Sequence, residues 1–71
     1  MPTTTNAAAR VGANIRAELA RRSLTQTDLG VHLGLGNASI HGRLHGKIPI
    51  NVNELEAIAT YLGVDLATLT A

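Results

Sequence analysis

The chain has 71 residues, a net charge of +1 at pH 7 and no cysteine, so it forms one thin-cored domain at most, with no disulfide and no thiolate metal site. Apolar residues make up 45% of it, yet Phe and Trp are missing and Tyr occurs once, so the core must be aliphatic. The lack of cysteine fits a reducing cytoplasm; no apolar run approaches the roughly 20 residues that cross a bilayer, and MPTTTNAAAR lacks the basic-then-apolar order of a signal peptide.

Residues 1–6 are polar and Thr-rich and read as a flexible tail ahead of a single domain over 7–71. Alternating β-branched runs are not found, and the helical period recurs five times. A first helix is expected from Ala7 to Arg22, where Val11, Ile15 and Leu19 form one apolar stripe and Arg10, Arg16, Arg21 and Arg22 fall off it. That placement makes each of the four a candidate for a solvated face, and Arg10, at the helix start, the best candidate for an anion contact. A second helix is expected from Gln26 to Leu33, with Thr25 as N-cap and Asp28 reaching back as the capping-box acid. Leu29 and Leu33 form its stripe.

A third helix follows from Asn37 to His45, with Ile40 and Leu44 inward, Gly46 as C-cap and Pro49 forbidding continuation. A fourth runs from Val52 to Leu62, capped by Asn51 with Glu54 at the reciprocal position and ended by Gly63; Leu55, Ile58, Ala59 and Leu62 face inward. A short last helix follows Asp65, with Leu66 and Leu69 as its apolar pair. The expected fold is all-α: a compact bundle of four helices plus a short terminal helix.

The link between the second and third helices is only Gly34-Leu35-Gly36, so these two are neighbours at a steep angle. Helices crossing at close range need a small residue where their backbones meet, and Gly30 supplies it. The turn needs a positive φ, which Gly34 adopts without steric cost. Leu35 plugs the core and Ile40 points inward. A small residue, a glycine four later and an isoleucine six after that mark a helix-turn-helix.

Charge is unevenly spread. Residues 1–50 hold all six Lys and Arg against Glu18 and Asp28, a net of +4, whereas residues 51–71 hold Glu54, Glu56 and Asp65 with no Lys or Arg, a net of −3. Such asymmetry suggests one end built for an anionic partner.

The stretch LTQTDLGVHLGLGNASIHGRLHGK resembles the helix-turn-helix of lambda-repressor-like and Cro-like DNA-binding domains, and NELEAIATYLGVDLATL is similar to their fourth and fifth helices. The resemblance covers about residues 11–70. The segment HGRLHGKIPINVNELEAIA looks most like small repressors of actinobacterial phages and their hosts, and five Arg to one Lys is compatible with a GC-rich genome. The resemblance implies a sequence-specific regulator, a phage repressor or Cro-like protein, that occupies an operator on double-stranded DNA and blocks polymerase. It implies that Gln26 opens the second helix, binds a phosphate and braces Asn37. It implies that Asn37, Ala38 and His41 face base edges, and that Asn37, His45, Gly46 and Lys47 hold phosphates; Arg10, by its place at the start of the first helix, is a further candidate phosphate contact.

A helical wheel of roughly 100° per residue with Ile40 inward places Ala38, His41, Gly42 and His45 outside, flanked by Ser39 and Arg43. Asn37 can bond adenine at two atoms, and the Ala38 methyl can touch a thymine methyl. Arg43 stands where the family often has an apolar residue; it is expected to grip a phosphate or read guanine. Gly42 costs about 1 kcal/mol relative to Ala in a helix; either it lets the helix sit deeper in the groove or it is simply tolerated.

Competing readings are weaker. His41 and His45, four apart, could chelate a metal, but no third ligand is evident and no metal or other cofactor is expected. Ser39 lacks an oriented histidine, so no catalysis is expected. His32 reads as a surface residue or a distant phosphate contact. If the domain dimerises by itself, Tyr61, Leu66 and Leu69 are the candidate contacts; if it is the N-terminal piece of a longer repressor, it can be monomeric. An antitoxin that also binds a toxin, or a module for protein contacts alone, remain the alternatives. No membrane or small-molecule partner is expected.

Overall fold

Val11, Ile15 and Leu19 stack along one side of a helix, and in the computed structural model, which describes residues 7–71, they direct α1 (Ala7–Arg21) into the core. The expected tail over 1–6 lies outside the described residues. α2 (Gln26–Leu33), α3 (Asn37–Leu44), α4 (Val52–Leu62) and α5 (Leu66–Thr70) follow, with no strand among the described residues. The first helix stops one residue short of expectation because Ser23 turns to φ +56° while the Leu24 N–H reaches back to the Leu19 carbonyl at 2.9 Å. The third also stops one residue early, with His45 as its cap and Gly46 at φ +76°.

Ile15, Leu19, Leu29, Ile40, Leu44, Ile58, Ala59, Leu62 and Leu69 form one buried cluster. Each large aliphatic contributes about 1.5–3 kcal/mol on leaving water. α2 and α4 both begin with reciprocal caps. Asp28 N–H donates to Thr25 Oγ1 at 3.0 Å while Thr25 N–H donates to the Asp28 carboxylate at 2.9 Å. Glu54 N–H donates to Asn51 Oδ1 at 2.7 Å while Asn51 N–H donates to Glu54 Oε1 at 3.2 Å.

The α2–α3 turn takes the expected form. Gly34 sits at φ +73°, and the Leu35 N–H bonds the Gly30 carbonyl at 2.8 Å. A Cβ at Gly30 would lie 2.9 Å from the Leu35 carbonyl oxygen and 3.2 Å from Ile40 Cγ2. Gly30 is therefore the notch in which the two helices cross.

A tighter approach, not foreseen from the sequence, joins α1 to α3. A Cβ at Gly12 would lie 2.3 Å from the Leu44 carbonyl oxygen, so the two backbones touch. Beside it, a Cβ at Gly46 would lie 2.9 Å from Ala9 Cα. Asn14 Nδ2 donates to the Leu69 carbonyl at 2.9 Å and so ties α1 to α5 as well. α3 is thus held by backbone contact near its C-terminus and by the Gly30 notch from α2.

Glu18, 9% exposed, collects the two arginines expected on the solvated face: Arg22 donates to Oε1 at 2.6 Å, and Arg21 donates to Oε2. These bonds hold the Glu18 carboxyl below its ordinary value of 4.5.

Gly12→Ala should destabilise the chain by about 1–3 kcal/mol in urea unfolding, because the new methyl meets a backbone carbonyl that cannot move aside. Gly36→Ala, with nothing within 4 Å of its Cβ and a φ of −72°, should cost only what an alanine at the α3 N-cap costs, about 0.5–1 kcal/mol. Equal losses at both positions would contradict the packing described.

Candidate functional site

α3 lies against α1 and α2 with Ile40 and Leu44 fully buried, which fixes the side left outside. Asn37, Ala38 and His41 are all exposed on that side. Asn37 is braced, though not by Gln26: Thr27 Oγ1 donates to Asn37 Oδ1 at 3.0 Å. Sequence reasoning missed Thr27. The available signal was a second hydrogen-bonding side chain in the same first turn of α2, one residue beyond Gln26. Gln26 itself is half-buried and lines a surface cleft with Arg16, Leu19, Ala20, Leu24 and Thr25.

His41 and His45 stack with ring centroids 4.0 Å apart. His45 is half-buried, and desolvation pushes its imidazole below 6.5, helped by the nearby positive charges of His41, Arg16 and Lys47. Among the described residues no third His, Cys, Asp or Glu joins the pair in a metal-holding cluster. Lys47 is exposed, and its N–H is tied to the Gly42 carbonyl at 2.8 Å. The Gly46 N–H reaches the Arg43 carbonyl at 3.4 Å, a long bond. Arg10 is exposed in the first turn of α1, next in sequence to Ala9, which touches Gly46. The phosphate candidates His45 and Lys47 therefore lie at the C-terminal end of α3, and Arg10 follows the α1 residue that meets Gly46 there.

Three further expectations are corrected. Arg43 does not join the outward set. Its Nη2 and Nε bond the Glu54 carboxylate at 3.1–3.2 Å, and its Nη1 bonds the Ser39 hydroxyl and carbonyl, so the side chain is 16% exposed and turned toward α4. The Arg43 guanidinium in turn holds the Glu54 carboxyl below its ordinary range, as does the Asn51 N–H. Gly42 is buried rather than outward-facing. A Cβ there would lie 2.7 Å from Ile48 Cδ1, and its carbonyl accepts the Lys47 and Ile48 N–H groups, so its bareness seats the loop after α3. Leu69 has no exposed surface and cannot serve as a dimer contact; Leu66 is 37% exposed, and half-buried Tyr61 lies against the His32 ring at 4.5 Å.

No described helix is long and apolar enough to cross a membrane. The sequence model of the Cro/C1-type HTH DNA-binding domain matches residues 14–71. No curated protein and no solved structure matches the chain.

Because the folded state favours neutral His45, its contribution to stability is complete above pH 6.5 and is lost as pH falls from there through the lowered value. Unfolding free energy should therefore drop as pH falls below about 6.5, and His45→Gln should drop less. Identical profiles would show that His45 is not desolvated in the fold.

Proposed function

Because the chain belongs to the Cro/C1-type HTH DNA-binding domain family, we propose that it is a sequence-specific regulator of transcription, a phage-type repressor or Cro-like protein that occupies an operator and blocks polymerase. The observation that carries this reading is the outer side of α3. It presents Asn37, Ala38 and His41 to solvent at one helix's width, while Ile40 and Leu44 anchor the other side. A helix of that kind fits a major groove about 12 Å wide.

Asn37 offers an amide to an adenine edge, held in place by Thr27, and Ala38 offers a methyl to thymine. His41 supplies a ring nitrogen to a base edge. Gln26, His45, Gly46, Lys47 and Arg10 set the register on phosphates. Arg43 acts differently from a reader: bonded to Ser39 within α3 and to Glu54, it ties α3 to the start of α4. A dimer would meet through Leu66 and the open edge of Tyr61 and read half-sites about 34 Å apart. Such a role places the protein with DNA in the bacterial cytoplasm.

Duplex affinity should fall steeply with salt, with a slope near −0.9 per phosphate neutralised. Asn37→Ala and His41→Ala should each change the preference among duplexes, worth about 1–3 kcal/mol at one base pair. Lys47→Ala should weaken all duplexes alike and reduce the salt slope by about 1. If all three variants act uniformly across sequences, α3 is not the reader.

A further inference from the structure

Arg16 stands on the off-stripe face of α1, where a solvated side chain is the ordinary expectation, but it is not loose. Its Nε donates to the Leu44 carbonyl at 3.1 Å, which fixes the guanidinium at the C-terminal end of α3. The side chain also lines the cleft whose other wall is Leu24, Thr25 and Gln26 at the start of α2. Its positive charge acts on His45 as well. One planar group therefore bridges the two places at which phosphate contacts are assigned, Gln26 on one side and His45 with Lys47 on the other.

The fate of the other arginines makes this position distinct. Arg21 and Arg22 are spent on Glu18, and Arg43 is spent on Glu54. Arg16 has no carboxylate partner among the described residues, and its one bond, to a carbonyl, uses Nε and leaves both Nη groups to donate. A guanidinium held by one edge presents its remaining N–H groups in a fixed fork, the shape that matches two oxygens of a phosphate. Because the tether is made in the free protein, less side-chain freedom is lost when an anion arrives.

We infer that Arg16, tethered on the Leu44 carbonyl, is a phosphate-binding residue that with Gln26 and His45 forms a cradle for a DNA backbone phosphodiester between the start of α2 and the end of α3. The inference rests on the DNA-binding reading and adds a contact that α1 makes through its side. The cradle carries no sequence information; it sets how far α3 enters the groove.

The test uses a duplex selected by the wild-type chain from a random pool, together with a scrambled duplex, each titrated at several salt concentrations. Arg16→Gln should weaken both duplexes on the order of tenfold and lower the salt slope by about 0.9, leaving the preference between them unchanged. Arg16→Lys, which keeps the charge, should keep the slope. If Arg16 only caps α3, Arg16→Gln lowers the melting temperature but leaves the slope intact, and the cradle is overturned. In case Arg16→Gln does not fold, the Arg16 Nη resonances of the wild-type chain are followed while the selected duplex is added; they should move on binding, and unmoved resonances overturn the inference. A wild-type chain with no salt-dependent affinity for any duplex removes the DNA reading and the cradle with it, whereas a normal wild-type slope unaltered in Arg16→Gln removes the cradle alone.

Discussion

The backbone contact between Gly12 and the Leu44 carbonyl is the constraint from which the remaining arrangement follows. α3 has eight residues, too few to hold a helix in water by itself, since isolated helices below about 12–15 residues are marginal. It persists because α1 lies against its last turn and α2 crosses it at the Gly30 notch, while Ile40 and Leu44 fill the space between. Gly46 continues the same close approach along α1 to Ala9. With two sides of a short helix occupied in this way, the side carrying Asn37, Ala38 and His41 is the one that faces outward.

Electrostatics follow the same geometry. The acids near cations are taken up inside the bundle: Glu18 by Arg21 and Arg22, and Glu54 by Arg43 and its own helix cap. That leaves Arg10, Arg16 and Lys47 without a carboxylate partner among the described residues. Arg16 and Lys47 both act on His45, and Arg10 follows Ala9 beside Gly46, so the uncompensated charge collects at one end of α3. Glu56 and Asp65 are exposed on another part of the surface, beside the cleft between α4 and α5. A chain with a net charge of only +1 can therefore still present a cationic edge.

What the sequence made legible was local chemistry. The bounds of α2 and α4 follow from Thr25 with Asp28 and from Asn51 with Glu54, caps whose partners are three residues apart. The Gly30–Gly34–Ile40 spacing revealed the crossing because one short turn joins the helices involved. The α1–α3 contact left no such trace, since Gly12 and Leu44 lie far apart in the chain and nothing near Gly12 marks it as more than a weak helix former. Gly42 escapes the sequence for a related reason: a wheel gives an angle but not the loop that folds back with Ile48. The Arg43 ion pair is not legible in the sequence because Glu54 reaches it only after the chain has turned past Pro49. Leu69 looked like half of an exposed pair until α1 closed over it through Asn14.

On the DNA-binding proposal, this packing makes the outer side of α3 the surface that reads duplex DNA, while α1, α2 and the loop after α3 touch only phosphates. Backbone amide resonances followed while a selected duplex is added address it directly. Asn37, Ala38, His41 and Lys47 should shift strongly while Glu56, Asp65 and Leu66 stay in place. Shifts concentrated on α4 and α5, with α3 unmoved, would contradict it.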